Sequence, residues 1–432
     1  MRRVALVGGA PIVPLGYDAP VSFNPDIVIM YSVDQALSLL LDSATPLSPL
    51  DADTEAVALN HAHHRVLAHD ITAPLDVPGF DNSAMDGYAL HIPDFAAPPA
   101  TYAIVQRIAA GETGAELAAG HAARIFTGAP IPMGANAVVM QEDCSVSGDT
   151  LRVNFQVKPQ QHIRPRGDDV RAGSVVLRAG TRLRAQELGL LASLGIASIT
   201  VMRPLRVALM CTGNELVEPG QALGAGQIYN SNRYLLNALL TSQGYQVSDF
   251  GIVRDDAVTT RDTLLKAAAE HDIVMTTGGV SVGDEDHVKA AVEAHGALDL
   301  WRMAIKPGKP FAQGHIRRAD GSHASFIGLP GNPVSGFVTF LVLVKPFLAK
   351  RQGALADTTE IQRFPAGFSR GAQTRREYLR ANLIDGRAVP VANQGSGVLT
   401  SAVISSGLLV VPENVAVQEG DLLQWLPYAS QL

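Results

Sequence analysis

Thr276-Thr-Gly-Gly-Val-Ser-Val-Gly-Asp-Glu-Asp-His287 follows directly on Asp272-Ile-Val-Met275, and this junction decides the fold. A short apolar run without alternation reads as a strand buried on both faces, the mark of a parallel sheet. Gly278 and Gly279, then Gly283, turn its end into a loop whose backbone N–H groups approach an anion closely. Asp284, Glu285 and Asp286 come at once afterwards. N–H groups for phosphate oxygens beside carboxylates for Mg²⁺ are what a metal–phosphate site needs. A glycine turn followed by the acidic first turn of a helix explains the same residues equally well. No Gly-Lys-Ser/Thr follows, so this is not a Walker A loop, and it is not a dinucleotide fingerprint.

Two later stretches favour the anion reading. Ile305-Lys-Pro-Gly-Lys-Pro310 sets Lys306 and Lys309 three positions apart in a frame of prolines. Gly328-Leu-Pro-Gly-Asn-Pro-Val-Ser335 follows the apolar Ser325-Phe-Ile327, and Pro330, Gly331, Asn332 and Pro333 specify one rigid turn at a strand's carboxyl end. Ligands of open α/β sheets sit at the carboxyl ends of strands. One acidic, one basic and one neutral loop are therefore expected to share a rim. Ordinary surface lysines are the alternative for Lys306 and Lys309, but a rigid frame around them would then serve nothing.

The chain has 432 residues, too many for one core, and its 47% hydrophobic and 17% charged content is that of a globular protein. A formal charge of −7 argues against general nucleic-acid binding. Cys144 and Cys211 build no disulfide framework and have no metal-ligand spacing, which suits a reducing cytoplasm. The longest apolar run, Phe337 to Val344, falls well short of a membrane span, so no membrane partner is expected. His61, His63 and His64 lack an acidic or sulfur partner at fitting spacing and read as solvated histidines.

Val33 to Ala44 carries a helical stripe. Residues 75–165 are turn-rich, with short runs such as Tyr102 to Gln106 and Ala137 to Met140, and read as a small β domain. Residues 30–74 and 166–204 flank it as one further region, with a helix from Ala185 to Leu194. Residues 205–352 alternate strands (Val207 to Met210, Val247 to Val253, Ile273 to Thr276, Leu298 to Ala304, Ala324 to Leu329) with helices, predicting a parallel doubly wound domain. Residues 353–432 return to β, ending in Val415 to Leu426. The expected class is a multidomain α/β plus β protein, its central α/β domain flanked by β-rich ones. Gly8-Gly9, Pro11 and Pro14 interrupt the apolar start, and 1–29 is expected to be an extension rather than a signal peptide.

The three loops together resemble the molybdopterin-binding domain shared by the MoeA/gephyrin proteins and the molybdopterin adenylyltransferases. Asp76-Val-Pro-Gly-Phe-Asp-Asn-Ser-Ala-Met-Asp-Gly-Tyr-Ala89 is similar to the signature of the MoeA-type molybdenumtransferases. Ile125-Phe-Thr-Gly-Ala-Pro130, Val138-Val-Met-Gln-Glu142, Arg166-Gly-Asp-Asp-Val170 and Gly224-Ala-Gly-Gln-Ile-Tyr-Asn230 match the same family in order, so the resemblance runs from about Met30 onward.

The resemblance implies insertion of molybdate into adenylylated molybdopterin, with hydrolysis of the phosphoanhydride to give AMP. It implies catalytic roles for Asp86, Thr127, Asp169, Glu215, Asp255, Asp286, Lys306 and Lys309, with Mg²⁺ at Glu215, Asp255 and Asp286. It implies substrate contacts at Gly278, Gly279, Ser281, Gly283, Arg302, Pro330, Gly331, Asn332, Pro333 and Ser396. Asn214 stands where many members carry Asp, which weakens a metal role there, and Arg302 where relatives often have Lys. The resemblance also implies a homodimer in which the Asp86 region reaches the sheet domain of the other subunit. Expected partners are a molybdopterin adenylyltransferase and proteins that mature molybdoenzymes. An adenylyltransferase itself would need only residues 205–350, and a pure scaffold would not need the charged rim.

Overall fold

The computed structural model describes residues 30–92, 98–279, 287–356 and 361–431. They form two compact units, one of residues 56–63 and 67–201 and the other of the remaining described chain. Residues 30–55, grouped from sequence with 166–204, belong to the latter unit.

That larger unit contains a seven-stranded sheet. Its elements in chain order are β1 (Met30–Tyr31), α1 (Val33–Ser43), β2 (Arg206–Thr212), α2 (Ser231–Ser242), β3 (Gln246–Val253), α3 (Ala257–Glu270), β4 (Ile273–Thr277), α4 (His287–His295), β5 (Gly296–Met303), β6 (Pro310–Arg317), β7 (His323–Leu329) and α5 (Pro333–Arg351). The strand order is β1-β5-β6-β7-β4-β2-β3. β7, β4, β2 and β3 run parallel, as the alternation predicts. β6 runs antiparallel to both β5 and β7, an exception to the all-parallel expectation.

Local chemistry sets the element ends. Every residue of β4 is buried, as a central parallel strand requires. Ser32 and Gln35 form a capping box at α1, each side chain taking the other's backbone N–H. Asn230 caps α2 by accepting from Arg233 N at 3.2 Å, and Asp256 caps α3 by accepting from Thr259 N at 2.9 Å. Pro333 occupies the first turn of α5, where a missing N–H costs nothing. The core between sheet and helices centres on Val274, Phe326, Leu264 and Val292. Truncating a buried Phe such as Phe326 costs roughly 3–5 kcal/mol.

α5 continues through a π-helical turn at Phe340–Val344 to 19 residues, long and apolar enough by composition to cross a membrane. Of its apolar stretch 67% is buried inside the protein, so it reads as a core helix. The chain then adds β8 (Gln362–Pro365), β9 (Arg376–Ile384), β10 (Arg387–Pro390), β11 (Gly407–Val411) and β12 (Leu422–Pro427). The short strand Ile305–Lys306 pairs in parallel with β9 and ties this C-terminal sheet to the α/β sheet. The last strand begins at Leu422, not near Val415.

The smaller unit holds a six-stranded sheet in the order Ala137–Met140, Gly87–Leu90, His121–Ile125, Ala100–Ile108, Thr150–Val153, Cys144–Ser147. Tyr88, Leu90, Val139 and Leu151 pack one face of it.

Candidate functional site

A cavity of about 710 Å³ opens where β2, β4 and β7 end. Thr212 closes β2, Gly278 and Gly279 follow β4, and Pro330, Gly331 and Asn332 follow β7. The Lys306–Pro310 segment and, from the C-terminal sheet, Arg375 and Gln394–Ser396 complete the wall. Gly278-Gly279, Lys306–Pro310 and Pro330–Asn332 thus line one cavity, while the acidic residues expected of the first loop lie outside the described residues.

Glycine is required at the cavity floor. Gly278 and Gly279 have φ of +84° and +63°, the left-handed region that side chains avoid. A Cβ on Gly278 would stand 2.4 Å from the Thr212 carbonyl oxygen, and one on Gly279 2.8 Å from Thr212 Oγ1. Two helices begin at the same cavity. Asn230 and Asn232 line it from the start of α2, and Asn332 and Ser335 from the start of α5. The positive ends of two helix dipoles thus face one space, which favours an anion. Val334 N donates to the Ser396 carbonyl at 3.0 Å, fixing the C-terminal turn against α5.

Three cations, Lys306, Lys309 and Arg375, and one carboxylate, Glu215, are among the described lining residues. The cations differ in freedom. Lys306 Nζ lies 2.9 Å from Glu377, a fully buried carboxylate that also takes two bonds from Arg370. Burial pushes Glu377 up, but Arg370 and Lys306 outweigh it and hold the carboxyl below its ordinary range. Lys306 therefore spends part of its charge on the protein itself. Lys309 is exposed, and Arg375 donates to the Ile305 carbonyl at 3.4 Å. Arg375 had no local sequence signal: it arrives from the C-terminal sheet.

Other expected residues lie elsewhere. Asp255 follows β3 beside the capping Asp256 and is not among the cavity's lining residues. Arg302 pairs with Met30 and Pro310 within the sheet and does not line the cavity either, and Pro333 is taken up by the first turn of α5. Ser281, Gly283 and Asp286 lie outside the described residues. Among the described residues no group of three or more His, Cys, Asp or Glu side chains gathers as for a metal ion. Glu215 alone does not make a Mg²⁺ site, so no step is derived through that ion.

Asp86, Thr127 and Asp169 belong to the smaller unit. One Asp86 carboxylate oxygen accepts from both Thr127 N and Thr127 Oγ1 at 2.8 Å, which lowers its pKa. Arg124 stacks on Tyr88 and Phe126 nearby, with its guanidinium 5.3 and 4.6 Å from the ring centres. Asp169 is exposed, and its N–H donates to the Val77 carbonyl at 3.0 Å.

Comparison with known proteins places this geometry. Residues 31–195 match the MoeA N-terminal region (domain I and II), 208–350 a probable molybdopterin binding domain, and 369–428 the MoeA C-terminal region (domain IV). A molybdopterin molybdenumtransferase of Haemophilus influenzae is 43% identical over 75% of this chain and 78% of its own. One from Nostoc sp. is 39% identical over 70% of each chain. The crystal structure of a molybdopterin biosynthesis moeA protein from Pyrococcus horikoshii superposes with a TM-score of 0.78 at 32% identity, over 93% of this chain and 100% of that one. With all three regions present in order, the chain belongs to the MoeA family of molybdopterin molybdenumtransferases.

Proposed function

We propose that the chain inserts molybdenum into adenylylated molybdopterin, hydrolysing the phosphoanhydride and releasing AMP. One observation carries this reading: two helix N-termini, a glycine floor and three cations converge on a single cavity. A phosphoanhydride needs N–H donors along its oxygens; Gly278 N and Val334 N are already given to the Leu329 and Ser396 carbonyls, so the Gly279 and Ser335 N–H groups are the ones proposed for it. Molybdate, a tetrahedral dianion and here a substrate, needs a compact cationic seat. Arg375 and Lys309 suit that seat better than Lys306, whose charge is shared with Glu377.

Further parts of the proposal rest on the resemblance. The protein works as a homodimer, Asp86 and Thr127 serve the reaction of the other subunit, and Mg²⁺ is held with the help of Asp286. A reducing cytoplasm suits a chain whose Cys144 and Cys211 are both free. The test is incubation of the purified chain with adenylylated molybdopterin, molybdate and Mg²⁺. AMP and active cofactor should both appear. Turnover of molybdopterin with ATP in place of the adenylylated substrate would instead make the chain an adenylyltransferase.

A further inference from the structure

One polar group of a residue on the cavity wall has a need that nothing among the described residues meets. Asn232, second residue of α2, is only 9% exposed. Its Nδ2 donates to Thr277 Oγ1 at 2.8 Å and to the Gly331 carbonyl at 2.7 Å. The Thr277 hydroxyl donates in turn to the Pro330 carbonyl at 3.3 Å. Both carbonyls are acceptors only, so every proton in this chain has one direction. Thr277 has given its hydrogen to Pro330 and can only accept from Asn232. Turning the amide over would set its oxygen against the Gly331 oxygen. The atom left over is therefore Asn232 Oδ1, buried and without a partner among the described residues, on a side chain that lines the cavity. Buried acceptors are rarely left so.

Whatever meets Oδ1 must donate a hydrogen. Ionised phosphates and molybdate are acceptors throughout, and suit the N–H groups and cations of the other walls. The amide sits among the strand ends that form the cavity: a Cβ on Gly331, whose carbonyl holds Nδ2, would touch Gly278 Cα at 3.9 Å. In the hydrolysis of a phosphoanhydride the hydrogen-bearing reactant is water. Resting on the reading of this cavity as the site of that hydrolysis, we propose that Asn232 Oδ1 orients the attacking water. Thr212 Oγ1, 4% exposed at the residue level and also without a partner, lines the same cavity and is a second contact for that water. The water oxygen bonds to one phosphorus. The bridging P–O bond breaks, and its electron pair leaves on the oxygen of the other phosphate. The proton lost by the water passes to a product phosphate and then to solvent. Asn232 keeps its protons and fixes the direction of the attacking lone pair.

The test uses the full chain, with AMP release measured at saturating adenylylated molybdopterin and molybdate, and substrate binding titrated separately. A wild-type protein that releases no AMP defeats the reading of the cavity before any variant is made. Given wild-type turnover, Asn232→Ala lowers kcat on the order of 10²-fold and leaves the substrate Kd within about threefold. An unchanged kcat overturns the proposal. So does a weakened Kd with kcat intact, which would put a substrate hydroxyl or ring N–H on the acceptor. Thr277→Val, which removes one anchor of Nδ2 and leaves Oδ1 in place, guards against misfolding of the alanine variant. It lowers kcat by about three- to tenfold at unchanged Kd. A Thr277→Val effect on Kd in place of kcat, or a kcat loss as large as that of Asn232→Ala, assigns the network a purely structural role and overturns the proposal.

Discussion

The cavity around Gly278 and the turn at Asp86 both join residues far apart in sequence, yet they treat polar groups in opposite ways. At the turn, one Asp86 oxygen takes the N–H and the hydroxyl of Thr127, and the Asp86 carbonyl takes Gln141 N at 3.2 Å. At the cavity, Thr212 Oγ1 and Asn232 Oδ1 are buried and unmet among the described residues, two helix N-termini contribute to the wall, and cations outnumber carboxylates among the described lining residues. A turn that satisfies itself is stable as it stands. A cavity that does not must be completed by what it binds. Breaking either half of this contrast tests it.

The largest expected effect falls on the wall behind the cavity. Glu377 is fully buried between Arg370 and Lys306. Glu377→Gln leaves two cations facing a neutral amide, which destabilises by about 3 kcal/mol, read from denaturant unfolding. The pH dependence has a definite sign. Because the folded carboxyl lies below its ordinary value, its stabilisation is present above the unfolded glutamate pKa and fades as pH falls through the folded one. The gap between wild type and Glu377→Gln should therefore close in acid. A gap constant with pH would mean that Glu377 contributes by packing and not by charge.

Gly278→Ala comes next. The added Cβ meets the Thr212 carbonyl at 2.4 Å with φ at +84°, so the loop must move away. A shift near 1 Å at a reacting centre lowers AMP release by about 10²-fold. Near-normal turnover would show that the loop is not the phosphate floor.

Asp86→Asn tests the other half at a smaller scale. The amide oxygen still accepts from Thr127, so melting should match wild type, while proposed service to the other subunit lowers AMP release about tenfold. Full activity would make the turn a scaffold. If activity does fall, mixing this variant with Gly278→Ala, under conditions where subunits exchange, should restore turnover.

Much of this was legible because it is written in local chemistry. Apolar runs gave β2, β4 and β7, and glycine and proline marked Gly278-Gly279 and Pro330-Gly331 as constrained loops. β6 was missed because Lys306-Pro-Gly-Lys-Pro310 reads as a loop and hides the strand that starts at Pro310. Its antiparallel course is set by its neighbours β5 and β7. Arg375, Asn232 and Thr277 were missed for a different reason. Each is ordinary in its own stretch and acquires a role only through a contact 45 to 99 residues away, as Asn232 does, or through strand pairing between domains, as Arg375 does. The pairing of Lys306 with Glu377 has the same origin. Orphaned polar atoms are invisible in a sequence, since being unpaired is a property of the whole fold.

Arg302 and Arg375 give the finest test, because sequence position favours the first and geometry the second. Arg302 stands where relatives often have Lys, and the resemblance implies a substrate contact there. In the sheet it stands opposite Met30 on one side and the cavity-lining Pro310 on the other, but is not itself among the lining residues. Arg375 precedes β9 and does line the cavity, held to the Ile305 carbonyl. A planar guanidinium at the rim binds a tetrahedral oxyanion through paired N–H groups, so Arg375→Ala should raise the molybdate concentration for half-maximal turnover about tenfold. Arg302→Ala should change it by no more than about twofold, since a charge that does not line the cavity is partly screened by solvent. Equal shifts in the two variants would mean that the long-range field of the rim, and not direct contact, seats the oxyanion, and Arg302 would regain the role the resemblance implies.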